Sequence, residues 1–143
     1  MPEEGWAPLA EGLAADVRRV SDRLRTLSAA RLAGPPAPPE DGMPPYRSRA
    51  QAARAVAQTM ADAAAALECA AAGVGGFDRR PQLPELADFA VGDQVAVTGH
   101  DLLAALDLVP PDTDVYGDVL DHGPARHQVE RAARLLADVR RRL

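Results

Sequence analysis

FAVGDQVAVTGHDLLAALDLV, residues 89–109, decides the fold. From Val91 to Gly99 apolar and polar residues alternate, as in a half-buried strand. Read with a period of 3.6, the same residues instead form a helix with Phe89, Val95, Leu102, Leu103, Leu106 and Val109 inward. Gly92, Ala96 and Gly99 then fall at i, i+4 and i+7, a small-residue groove that admits a neighbouring helix at close range. Each interior glycine costs about 1 kcal/mol relative to alanine. The helical reading is preferred because it continues through LLAALDLV until Pro110 and Pro111 stop it.

The eleven residues FAVGDQVAVTG also resemble the VGDxVxV pattern of KOW-type small β-barrels. That resemblance implies a barrel and binding of RNA or a ribosomal partner. A barrel needs about five strands, and no second strand is legible elsewhere in the chain. This again favours the helix.

Working outward, three further segments carry helical stripes. Trp6, Leu13, Val20 and Leu27 recur every seven residues, with Leu9, Val17 and Leu24 between them, up to the stop at Gly34-Pro35-Pro36. Ser48 is a suitable N-cap for a second helix whose face is Ala53, Val56, Met60, Leu67 and Val74, with alanines filling the gaps. Gly73 followed by Val74 suits a Schellman ending. The last helix starts at Pro124 and buries Val129, Ala132, Leu136, Val139 and Leu143. The sequence therefore predicts one all-α domain over residues 1–143. It is a four-helix bundle with helices over about 6–32, 48–72, 86–108 and 124–142. The proline-rich GPPAPPEDGMPP, residues 34–45, is an extended connector between helices 1 and 2, long enough to run the length of the bundle.

Composition narrows the function. The 143 residues are 47% hydrophobic but only 3% aromatic, so the core is narrow and built from Leu, Val and Ala. Lys, Asn and Ile are absent and all basic residues are Arg, the codon signature of a GC-rich, bacterial genome. Arginine clusters and alanine runs are discounted accordingly. The net charge of −5 argues against nucleic-acid binding. One cysteine, Cys69, excludes a disulfide framework. No apolar run approaches the roughly 20 residues needed to span a bilayer, and no leader opens the chain. The expected compartment is the cytoplasm, without membrane contact.

Charge is segregated. Residues 81–122 carry nine acids and no arginine, whereas residues 123–143 carry two acids and six arginines. The third and fourth helices are therefore expected to lie side by side and neutralise each other.

Candidate chemistry is sparse. Asp112, Asp114, Gly117 and Asp118 match positions 1, 3, 6 and 7 of a calcium loop. Positions 5 and 12 are Tyr116 and Gly123, so two essential ligands are lacking. Neither HExxH nor Glu-x-x-His occurs, and GVGG lacks the Lys-Ser/Thr of a phosphate loop. No catalytic residue, metal site or cofactor is assigned. The expectation is a non-catalytic interaction or accessory protein, probing a protein partner or a second copy of itself, with Trp6 and Tyr46 as interface anchors. The alternative is a ligand-binding or enzymatic bundle using His100 and Asp101 over the groove at Gly92 and Gly99.

Overall fold

The computed structural model describes residues 5–74, 81–118 and 121–143. They are predominantly helical: α1 (Ala7–Thr26), α2 (Ala29–Ala33), α3 (Arg49–Ala72), α4 (Val91–Ala105) and α5 (Ala125–Arg142). Single 3-10 turns at Asp88–Ala90 and Leu106–Leu108 flank α4. The helical reading of this stretch holds, and the alternative strand over Val91–Thr98, with the barrel it resembled, is set aside, because that stretch is the first half of α4.

The first predicted helix is broken in two. Ser28 is extended, and its hydroxyl accepts from Arg31 N–H at 3.2 Å, so it caps a new helix rather than continuing the old one. This turn lets Leu32 bury against α3. The second helix has the expected ends. Ser48 Oγ accepts from Gln51 N–H at 3.0 Å. Gly73 is left-handed at φ 70°, and Val74 N–H reaches back to Cys69 O at 3.0 Å.

α4 packs against both α1 and α3, and α5 packs against the same two helices. Neither α1 with α3 nor α4 with α5 forms a packed pair, so each of these pairs is diagonal. This corrects the expectation that α4 and α5 neutralise each other as neighbours. Burial explains the arrangement. α3 is flanked on two sides and buries ten residues, seven of them alanine, whose small side chains admit a helix on each side. Apolar packing sets the order of the helices, and the charge pattern does not override it.

The connections differ from expectation as well. Arg49 N–H donates to Gly34 O at 2.9 Å, so the proline-rich segment leaves and returns at one end of the molecule and does not run along it. It is fastened there by Arg142. The arginine donates from Nε to Ala37 O and from a terminal nitrogen to Pro44 O, both at 2.8 Å, while Ala37 N–H donates to Arg142 O at 2.9 Å.

The lengthwise crossing is made between α3 and α4. α3 ends beside the hairpin described below, yet α4 starts near Arg54 at the opposite end of α3. Residues 81–87 are extended along α3. Gln58 grips them through both amide atoms, donating to Pro81 O at 2.6 Å and accepting from Leu83 N–H at 3.2 Å. Gln94 donates to Pro84 O at 3.0 Å, and Arg54 donates to Leu86 O at 2.7 Å.

The predicted acidic connector after Val109 is a two-stranded antiparallel hairpin, β1 (Asp114–Asp118) with β2 (Asp121–Pro124). Val115 is the apolar residue that seats it, buried where β1 meets α3. Tyr116 pairs with His122 across the strands, their rings 4.7 Å apart.

Candidate interaction surface

α4 has two unlike sides. Its inner side buries Val91, Val95, Thr98, Leu102 and Ala105. Gly92 and Gly99 belong to this side and face α1. A Cβ on Gly92 would stand 2.9 Å from Ser21 O, and one on Gly99 would stand 2.5 Å from a Val17 methyl. The small-residue groove is thus filled by α1 itself.

The outer side carries His100 and Asp101, both exposed. Asp101 borders a shallow groove of about 380 Å³ between α3 and α4, with Ala61, Ala64, Glu68, Cys69, Val97 and Thr98. His100 and the two glycines are not in its lining. The four residues expected to share a pocket therefore do not converge: the two glycines face α1, while Asp101 and His100 lie on the other side. A helix turns by about 100° per residue, which puts His100 roughly opposite the faces that contact α1 and α3.

Trp6 and Tyr46 sit at opposite ends of the molecule and both turn inward. Trp6 Nε1 donates to Val109 O at 2.9 Å, joining the start of α1 to the chain that follows α4. The Arg142 guanidinium lies 5.1 Å from the centre of the Tyr46 ring. Burial of Tyr46 and the nearby Asp138 raise its pKa above the ordinary 10.0, and Arg142 partly offsets them. Asp138, 1% exposed, pairs with Arg142 at 3.1 Å. This buried pair was missed in the sequence. Its only signal is the i, i+4 spacing of Asp138 and Arg142 on the side that carries Val139.

Large apolar residues lie exposed along α4 and its flanks. Phe89 is 81% exposed, Val97 59% and Leu108 51%. Phe89 was expected inward, but it lies in the 3-10 turn before α4, off the phase of Val95 and Leu102. Val74, also assigned to a buried face, is exposed beyond the end of α3. Asp93, Asp101 and Asp107 intersperse the α4 row and are all exposed. Asp93 is held by Arg25 at 2.8 Å and Asp88 by Arg54 at 2.7 Å, both arginines reaching over from neighbouring helices.

Diagonally across the molecule, α5 shows Glu130, Arg131, Arg134, Arg140 and Arg141 to solvent. Arg140 reaches Asp16 of α1 at 3.5 Å. Asp101 and Arg134 make no ion pair among the described residues. Because α4 and α5 are diagonal, the acidic row and the basic row face away from each other.

Among the described residues no group of three or more His, Cys, Asp or Glu is placed to hold a metal ion. No helix among them is long and apolar enough to cross a membrane. The chain matches no protein-family model, and no curated protein or solved structure is significantly similar to it.

Proposed function

We propose that this chain is a non-catalytic interaction protein, a four-helix bundle of α1, α3, α4 and α5 that associates with copies of itself through the outer side of α4. The observation that carries this reading is the row of Phe89, Val97 and Leu108, exposed along α4 and its flanking 3-10 turns while the inner side of α4 is packed. Full burial of a side chain of this size contributes about 1.5–3 kcal/mol relative to exposure. Covering these residues with protein is the simplest way to gain that energy. The narrow core supports the same reading. A bundle whose interior is largely alanine, valine and leucine gains stability from additional buried area in an assembly.

Sedimentation velocity over a concentration series tests the proposal. The intact chain is expected to show a mass above the monomer that grows with concentration. Val97→Arg is expected to lower that mass while the helical circular dichroism stays unchanged, because Val97 is exposed. A monomer at every concentration, or an assembly indifferent to Val97→Arg, would overturn the reading.

A further inference from the structure

We infer that the surface which receives α4 is the arginine-bearing side of α5 in a second copy, so that copies join head to tail. The inference rests on the self-association proposed above and names the partner surface. Its starting point is that the two most oppositely charged helices of the chain do not form a packed pair.

Symmetric pairing is disfavoured by charge. α4 against α4 sets the exposed Asp101 and Asp107 against themselves, and α5 against α5 sets Arg131, Arg134, Arg140 and Arg141 against themselves with Glu130 as the one exposed acid of that helix. α4 against α5 sets opposite signs together. The geometry suits it. α4 starts at the end of the molecule where α5 finishes, so the two run in opposite directions. Copies related by a simple translation then bring the start of one α4 beside the finish of the next α5. Asp93 and Asp101 are eight residues apart, and Arg141 and Arg134 seven. Asp101 and Arg134, which make no ion pair among the described residues, therefore come level when Asp93, held by Arg25 in its own copy, and Arg141, beside Asp138 in its own, lie together. At about 1.5 Å per residue the two rows have nearly the same length. Arginine stems also cover apolar surface while their heads stay with carboxylates, so this side of α5 can lie over Phe89 and Val97. Such a contact uses different patches on the two copies and does not close on itself as a two-fold dimer does, so it builds rows of copies.

Charge reversal tests the pairing. Asp101→Arg and Arg134→Glu are prepared separately and together, each checked for unchanged circular dichroism, and sedimented at about 0.05 M salt. Each single reversal is expected to weaken association at least about tenfold. The doubly reversed chain is expected to assemble again, as is a mixture of the two single variants, since both restore opposite charges across the contact. If Val97→Arg abolishes assembly but Arg134→Glu does not, α5 is not the receiving surface and this inference falls while the proposed function stands. If the single reversals dissociate and neither combination recovers, the direct pairing of the two rows is likewise refuted. If the unaltered chain is monomeric throughout, both readings fall together.

Discussion

Gly99 of α4 and Val17 of α1 stand so close that a methyl group on Gly99 would lie 2.5 and 2.6 Å from the two Val17 methyls. Val17 is itself 2% exposed and has little room to withdraw. Two opposed effects act on Gly99→Ala. Alanine is favoured over glycine in a helix by about 1 kcal/mol, whereas overpacking a tight core costs about 1–3 kcal/mol. At this separation the clash wins, and Gly99→Ala is expected to lower stability by about 1–2 kcal/mol in urea unfolding. Gly12 in α1 is the control, since a methyl there meets nothing within 4 Å. Gly12→Ala is expected to raise stability by about 0.5–1 kcal/mol. Equal effects of the two substitutions would contradict the close approach of α1 and α4.

Arg142 fastens the proline-rich loop from the last turn of α5. Its guanidinium is 5% exposed, pairs with the buried Asp138, and donates to Ala37 O and Pro44 O. Arg142→Met keeps much of the stem but leaves the Asp138 carboxylate buried without this partner. Breaking a buried pair on one side costs about 3–5 kcal/mol. Arg141 lies 3.8 Å from the other Asp138 oxygen and compensates in part, which places the expected loss near the lower end, about 3 kcal/mol. Replacing both residues, Asp138→Leu with Arg142→Met, is expected to recover part of that loss in the same unfolding measurement, because no uncompensated charge remains.

Tyr46 beside this clamp gives a pH dependence whose sign is fixed. Its pKa is raised, first by burial and then by Asp138, so folding favours the protonated phenol. The resulting stability is fully present below the unfolded value near 10 and is lost as pH rises through the folded pKa. In a Tyr116→Phe background, tyrosinate absorbance is expected to rise at a higher pH in the folded chain than in the chain unfolded in urea. Coincident titrations would show Tyr46 to be solvated.

What the sequence disclosed depended on how local the determining contacts were. Leu13, Val17, Val20 and Leu24 repeat at helical spacing and are buried, and Ser48 and Gly73 end α3 as their chemistry requires. The break at Ser28 was hidden because Leu27 continues the heptad across it. The hairpin was hidden because Val115 is the one buried apolar residue described in its strands. The positions of α4 and α5 were misread from charge, a weak and screened force beside the burial of Ala53, Met60 and Leu67 on α3. Of the residues proposed for a site, Gly92 and Gly99 were legible as points of helix contact. The exposure of Phe89 was not, since it follows from a 3-10 turn that no periodicity announces.

Gln58 shows the same dependence at a single side chain. Both atoms of its amide hold the strap over α3, one on Pro81 O and one on Leu83 N–H, across 23 and 25 residues of sequence. Nothing in the surrounding alanine-rich stretch marks this glutamine. Gln58→Ala removes three hydrogen bonds, two to the strap and one to Asp62 at 2.9 Å, each worth about 0.5–1.5 kcal/mol net. Pro81 and Leu83 are half-buried rather than buried, and their neighbours Gln82 and Pro84 are exposed, so water reaches the freed groups and keeps the unpaired-group penalty small. The expected loss of global stability is therefore about 1 kcal/mol. The local effect is larger: exchange of the Leu83 amide hydrogen is expected to accelerate, while amides in the middle of α4 change only by the global amount. Unchanged protection of Leu83 would mean that packing of its side chain, not the glutamine, holds the strap in place.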